Sequence, residues 1–124
     1  MAIKRILIVD DSPTERHVLN DMLTKAGYEV VASDNGEDAI LKARTIKPDL
    51  ILMDVIMPRK TGFEACRELK RREDTKSIPV ILVTTRGEGE NVEAGFQSGC
   101  NDYVTKPINA QELLTKVRDH MGAR

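Results

Sequence analysis

Short apolar runs alternate with longer segments of helical spacing along this chain. Three runs are uninterrupted, at residues 6–9, 50–53 and 80–83. Four apolar residues in a row are typical of a strand that is covered on both faces, as in a parallel sheet. Two more polar segments, at residues 28–33 and 102–104, fit strands at the edges of the sheet. The pattern therefore predicts five strands.

Segments with apolar residues three and four positions apart lie between these strands. The first begins with Ser-Pro-Thr-Glu at residues 12–15, which predicts a capping box with proline in the first helical turn. Gly27 predicts a left-handed stop at its end. Further helices are expected over residues 36–46, 62–72, 91–98 and 110–121. The one over 91–98 is predicted to be the least rigid, because Gly95 interrupts it and two glycines precede it.

Five strands that alternate with five helices predict an α/β fold. Such a chain forms an open parallel sheet with helices on both faces. The apolar positions of the helices should face this sheet. They are Val18, Leu19, Met22, Leu23, Ala39, Ile40, Ala43, Phe63, Cys66, Leu69, Leu113, Leu114 and Val117.

Length and charge limit what the fold can do. The 124 residues suffice for one compact domain, residues 1–124. Nineteen basic and twenty acidic residues leave a formal charge of −1, so no basic surface is expected for nucleic acid or an anionic membrane. The two cysteines lack zinc-site spacing, and no apolar segment is long enough for a signal peptide or a membrane span. We expect a cytoplasmic monomer.

Polar residues follow the predicted strands at the carboxyl edge of the sheet. Asp10 and Asp11 follow the first strand, Asp54 ends the third, Thr84 ends the fourth and Lys106 lies just past the fifth. In open parallel sheets, ligands bind outside the carboxyl ends of the strands. Each residue alone has an ordinary explanation as a turn, a helix cap or a solvated charge. Their convergence on one edge favours a binding site.

The chemistry of these side chains indicates metal-assisted phosphoryl transfer. Two carboxylates about 5 Å apart repel by ~3 kcal/mol at an effective dielectric constant of 20. A hard divalent cation relieves this repulsion, and a few oxygen ligands suit Mg²⁺. Asp54 could then attack phosphorus, while Thr84 and Lys106 neutralise the charge of the phosphoryl oxygens.

The same residues resemble the response-regulator receiver family of two-component signalling, especially its single-domain, CheY-like members. The resemblance covers residues 6–121 and rests on the motifs at 7–12, 53–58 and 102–107 and on Thr84. It implies a flavodoxin-like, doubly wound fold with strand order 2-1-3-4-5. The motif Asp-Asp-Ser-Pro-Thr-Glu at residues 10–15 is also similar to receivers of chemotaxis-like systems that control surface motility.

The resemblance assigns the acidic residues. It implies that Asp54 is the phosphoacceptor. It also implies that Asp10, Asp11, Asp54 and the backbone carbonyl of Ile56 hold Mg²⁺, for which Mn²⁺ could substitute.

The resemblance also assigns the residues of the switch. Lys106 would pair with the phosphoryl group, and the Lys106–Pro107 peptide bond would be cis. Thr84 and Tyr103 would be the switch residues, the hydroxyl closing onto the phosphoryl group and the ring turning inward.

Three further positions correspond to those that tune dephosphorylation in this family, namely Ile56, Thr85 and Arg86. An apolar Ile56 cannot orient attacking water, so slow self-dephosphorylation is expected. Thr85 stands where a smaller residue is frequent and can narrow access to the site. Arg86 can extend a cation toward it.

The function that follows is a response regulator phosphorylated by a partner histidine kinase. It would signal to an unidentified downstream protein through the surface of the fourth helix, fifth strand and fifth helix, or act as a phosphate sink. Its only catalysis would be its own phosphorylation and dephosphorylation. A haloacid-dehalogenase-like phosphatase would need a second aspartate where Ile56 stands, and a receiver that has abandoned phosphorylation would usually lack an acidic residue or the lysine. A nucleotide-binding protein would need a glycine-rich motif after the first strand.

Overall fold

A five-stranded parallel sheet forms the centre of the molecule. The structure, a computed structural model, describes residues 3–85 and 97–121. The strands lie in the order β2-β1-β3-β4-β5, and every neighbouring pair is parallel. They are β1 (Arg5–Val9), β2 (Glu29–Ser33), β3 (Leu50–Asp54), β4 (Val80–Thr85) and β5 (Asp102–Lys106). The predicted parallel sheet and strand order are confirmed.

Four helices lie within the described residues. They are α1 (Pro13–Lys25), α2 (Gly36–Ile46), α3 (Gly62–Arg71) and α4 (Ala110–Met121), of which α4 is the helix predicted as the fifth. The helix predicted over residues 91–98 falls largely on residues 86–96, which lie outside the described residues. None of the described helices is long and apolar enough to cross a membrane.

Alternate residues of the inner strands face opposite sides of the sheet. Leu7 and Val9 pack into a core with α2 and α3, whereas Ile6 and Ile8 pack into a second core with α1 and α4. Every residue of β3 is buried. The uninterrupted apolar runs follow from this arrangement, because both faces of a central strand are covered by helices.

Most of the predicted core positions are buried, but one is not. Met22, Phe63 and Leu114 are partly buried against the two cores. Val18 is 50% exposed, so its predicted burial is wrong. It lines a groove between α1 and residues 106–108.

The start of α1 departs from the predicted capping box. The Ser12 Oγ accepts a hydrogen bond from the Glu15 N–H at 3.3 Å, which is half of the box. The Ser12 N–H donates instead to Asp10 Oδ1 at 2.9 Å. The predicted left-handed stop is confirmed, since Gly27 has φ +99°.

Candidate functional site

The sheet brings the predicted site residues to one edge. Asp10 follows β1, Asp54 ends β3, and Lys106 ends β5. The register pairs Asp54 with Val83 and Thr84 with Thr105. Thr84, predicted to end β4, is its penultimate residue, because the strand continues one residue further to Thr85. Parallel strands thus align side chains that are far apart in sequence.

Three carboxylates converge at this edge. One oxygen from each of Asp10, Asp11 and Asp54 lies within 4.8 Å of the other two. Asp10 and Asp54 are buried, whereas Asp11 is exposed. Among the described residues, no group donates a hydrogen bond to the buried Oδ2 of Asp10. An unsatisfied buried oxygen in a set of three carboxylates fits a hard divalent cation.

The pKa values of the buried carboxylates show that their negative charges are not fully compensated. Burial, assisted by the negative charge of Asp10, raises the pKa of Asp54 to about 6 against the opposing effect of Lys106. Burial also raises the pKa of Asp10. Both shifts mean that the ionised carboxylates are disfavoured without further positive charge.

A single ammonium group stands among the carboxylates. The Nζ of Lys106 lies 3.3 Å from Asp54 Oδ1, 3.4 Å from Glu15 Oε1 and 3.7 Å from Asp10 Oδ2. Burial lowers the pKa of Lys106, but the three carboxylates outweigh burial and raise it. Lys106 is therefore charged at neutral pH. Sequence reasoning assigned Glu15 to a helix cap and missed this contact.

The hydroxyl of Thr84 lies buried beside the site. Its Oγ1 has no hydrogen-bond partner among residues 3–85 and 97–121. Tyr103, on the neighbouring strand, is partly buried against the core under α2 and α3, and Lys116 Nζ lies 5.2 Å from the centre of its ring. The Lys106–Pro107 peptide bond is cis.

The three positions predicted to tune dephosphorylation differ in what the structure describes. Ile56, two residues after Asp54, is 58% exposed. Thr85 ends β4 and pairs with Lys106 in the sheet register. Arg86 lies outside the described residues.

Two residues that sequence reasoning missed hold the backbone of the site. The Nη1 of Arg16 donates to the Asp10 carbonyl at 2.6 Å. The Gly62 N–H donates to the Val55 carbonyl at 2.8 Å, and a β carbon on Gly62 would lie 2.4 Å from the carbonyl oxygen of Asp54. Only glycine allows α3 to start this close to the end of β3. A glycine at the first position of a helix was the available sequence signal.

Comparison with known sequences identifies the chain's relatives. Residues 6–118 match the family described as the response regulator receiver domain. The protein PilH of Pseudomonas aeruginosa is 46% identical over 113 residues, which span 91% of this chain and 93% of PilH. Several other relatives, among them transcriptional regulators, are longer, and the chain spans only about half of their length, 46% to 52%.

Solved structures with the same architecture include two receivers. The receiver domain of the sensor histidine kinase PA1611 of P. aeruginosa, which has a magnesium ion coordinated in its active-site cleft, is 33% identical with a TM-score of 0.90. The superposition covers 98% of this chain and all (100%) of the PA1611 receiver. The chemotaxis response regulator CheY4 of Vibrio cholerae is 32% identical with a TM-score of 0.88, over 96% of this chain and 99% of CheY4.

Proposed function

Because this chain belongs to the response regulator receiver domain family, which accepts phosphoryl groups in two-component signalling, we propose that Asp54 is its phosphoacceptor. Receiver domains take this group from histidine kinases, and we infer that a partner kinase presents a phosphohistidine to this site. Residues 1–124 would form one receiver domain. The observation that carries the proposal is the contact of 3.3 Å between Asp54 and Lys106 within the three-carboxylate cluster.

The other two carboxylates are less suited to attack phosphorus. Asp10 is only 1% exposed, and one of its oxygens already accepts from the Ser12 N–H. Asp11 has no contact with Lys106 among the described ion pairs. Asp54, with a pKa of about 6, is ionised in most molecules at neutral pH and is therefore a competent nucleophile.

In the proposed reaction, an Asp54 carboxylate oxygen forms a bond to phosphorus. The bond from phosphorus to the donor's imidazole nitrogen breaks, and its electron pair stays on that nitrogen. Lys106, 3.3 Å from Asp54, would pair with the phosphoryl oxygens, and the buried hydroxyl of Thr84 would donate a hydrogen bond to them.

A divalent cation is part of this proposal. Asp10, Asp11, Asp54 and the backbone carbonyl of Ile56 would hold Mg²⁺ or Mn²⁺. The cluster of three carboxylates, together with the magnesium ion in the active-site cleft of the related PA1611 receiver, supports a divalent cation at this site. When bound, the ion supplies positive charge that neutralises the carboxylates and the phosphoryl oxygens. The chain's own catalysis is confined to its phosphorylation and dephosphorylation.

Phosphorylation would act through Thr84 and Tyr103. A hydrogen bond to a charged group contributes roughly 1.5–3 kcal/mol, so the Thr84 hydroxyl and Lys106 together can shift a two-state equilibrium by a few kcal/mol. Reversing the ratio of the active to the inactive conformation from 1:99 to 99:1 takes about 5.5 kcal/mol. Phosphorylation would therefore shift the populations substantially without making the change complete. A buried hydroxyl without a described partner supports this role for Thr84.

The output surface would include β5 and α4, together with the segment predicted as the helix over residues 91–98. We propose that a downstream protein binds there, or that the chain serves as a phosphate sink for its kinase. The similarity to CheY4, a chemotaxis response regulator, supports a place in a chemotaxis-like system.

The test is phosphorylation by a small donor. Wild type, Asp54→Asn and Asp34→Asn are incubated with acetyl phosphate and Mg²⁺, and intact masses are measured. Asp34 is an exposed aspartate outside the cluster and serves as the matched control. We expect a phosphoryl mass gain in wild type and Asp34→Asn only. A gain in Asp54→Asn, or none in wild type, contradicts the proposal.

A further inference from the structure

Two helices of this fold carry a glutamate at the same position but use it differently. In α3, Glu64 completes a capping box, since Thr61 N–H donates to its Oε1 at 2.8 Å and Glu64 N–H donates to Thr61 Oγ1 at 3.2 Å. In α1, Glu15 holds the equivalent third position after Ser12. Its carboxylate does not take part in the cap, because the Ser12 N–H donates to Asp10 Oδ1.

The carboxylate of Glu15 instead lies beside the phosphorylation site. Its Oε1 is 3.4 Å from Lys106 Nζ, almost the same as the 3.3 Å that separates this nitrogen from Asp54. Both contacts come from an ammonium whose side chain is only 24% exposed. Glu15 also contributes to the raised pKa of Asp10, although less than burial does. It is therefore part of the electrostatic field of the cluster.

We propose that Glu15 is a positioning residue that holds Lys106 toward α1 in the unphosphorylated protein. It thereby sets two properties of the site in opposite directions: it strengthens the binding of a divalent cation, and it opposes phosphorylation of Asp54. The first half of this inference rests on the proposed cation site and the second half on the proposed phosphorylation of Asp54, and the two are measured separately below.

The opposite signs follow from charge. Among the described residues, the carboxylates of Asp10, Asp11, Asp54 and Glu15 supply four negative charges when ionised. Lys106 and Arg16, whose Nη1 lies 2.6 Å from the Asp10 carbonyl oxygen, supply two positive charges, so the cluster stays net negative. Each added negative charge attracts a divalent cation more strongly. A phosphoryl group brings further negative charge and needs Lys106 as its partner, so Glu15 both repels it and competes for the ammonium.

The experiment compares Glu15→Gln with Glu64→Gln. Both variants lose one negative charge at the third position of a helix, but of the two glutamates only Glu15 forms an ion pair with Lys106. Calorimetric titration with Mg²⁺ at low ionic strength gives the dissociation constant. Intact mass spectrometry at saturating Mg²⁺ gives the rate of phosphorylation by acetyl phosphate. Urea unfolding verifies that both variants fold.

We expect Glu15→Gln to raise the Mg²⁺ dissociation constant by roughly threefold to tenfold, as for one partly exposed charge near a divalent ion. We expect it to accelerate phosphorylation by roughly twofold to fivefold, since the anionic donor meets less repulsion. Both effects should shrink as salt is added. Glu64→Gln should leave both quantities unchanged.

A purely structural role for Glu15 predicts a different result, in which Mg²⁺ binding and phosphorylation weaken together. That result, or equal behaviour of the two variants, overturns the inference. If wild type itself gains no phosphoryl mass, the proposed function fails, while the Mg²⁺ titration still decides whether Glu15 acts on the cation site.

Discussion

Gly62 lies where the first residue of α3 meets the end of β3, and its replacement by alanine should disturb both stability and phosphorylation. The added β carbon would lie 2.4 Å from the Asp54 carbonyl oxygen and 2.9 Å from the α carbon of Val55. Both contacts are with backbone, which no change of rotamer can relieve. The hydrogen bond from the Gly62 N–H to Val55, at 2.8 Å, also holds the two segments together.

The size of the effect follows from these distances. Real β carbons essentially never approach closer than 3.0 Å, so the backbone must shift by at least 0.6 Å, the difference between 3.0 and 2.4 Å. Overpacking of this kind costs about 1–3 kcal/mol. Alanine is favoured over glycine in helices by up to ~1 kcal/mol, which offsets part of the cost. We expect a net loss of about 1–2 kcal/mol in the free energy of unfolding.

Gly36→Ala provides the matched control, because Gly36 begins α2 as Gly62 begins α3. Its added β carbon would meet the side chain of Lys60 at 3.2 Å and the β carbon of Ala65 at 3.3 Å. The flexible lysine stem can move by a few tenths of an ångström. The unfolding free energy of this variant should stay within about 0.5 kcal/mol of wild type.

Urea unfolding in the presence of a chelator measures these stabilities. A loss of about 1–2 kcal/mol should lower the urea midpoint by roughly 0.5–1 M for Gly62→Ala. The displaced Asp54 should also be phosphorylated by acetyl phosphate about tenfold more slowly, since misplacement of a reacting group by 1 Å can cost about 100-fold. Wild-type stability in Gly62→Ala, or equal damage from Gly36→Ala, would refute the reasoning.

Three further predictions concern single side chains of the site. The pKa of Asp54 is raised from 3.8 to about 6, so its contribution to stability is full below 3.8 and is lost as pH rises through 6. Above pH 6 the wild type must bury an ionised Asp54, which the Asp54→Asn variant avoids. In chelator above pH 6, the free energy of unfolding of Asp54→Asn should therefore exceed that of wild type by up to about 3 kcal/mol, and it should depend less on pH between 4 and 6. Identical pH profiles of the two proteins would contradict this. Thr84→Val removes a buried hydroxyl without a described partner and should stabilise the unphosphorylated protein by about 1 kcal/mol. It should also abolish the shift of the Tyr103 amide that phosphorylation causes in NMR spectra. A destabilised variant whose Tyr103 amide still shifts on phosphorylation argues against the switch. In Ile56→Asn, the exposed polar side chain can orient an attacking water molecule. Decay of the phosphoprotein, followed by mass spectrometry over time, should therefore be about tenfold faster or more. Decay of the wild-type phosphoprotein within seconds would count against the role of Ile56.

Much of the fold was predictable because its signals are local. Each uninterrupted apolar run predicted a strand covered on both faces, and each buried helix stripe predicted the face toward the sheet. The motifs around Asp10, Asp54 and Lys106 each follow a predicted strand, so their meeting at one edge required only that the sheet be parallel. The resemblance to receivers supplied the strand order and the roles of these residues.

The amino-acid sequence by itself determined the strands, the parallel sheet and the convergence of the acidic residues with Lys106, since these depend on patterns within a few residues. Only the tertiary structure decided which neighbours the side chains meet. Glu15 carries the local pattern of a capping box, yet its carboxylate lies beside Lys106, 91 positions further along the chain. Val18 fits the helix stripe but faces a groove, and Gly62 is required by a carbonyl oxygen on the preceding strand. Contacts of this kind depend on packing across the fold, which local spacing does not encode.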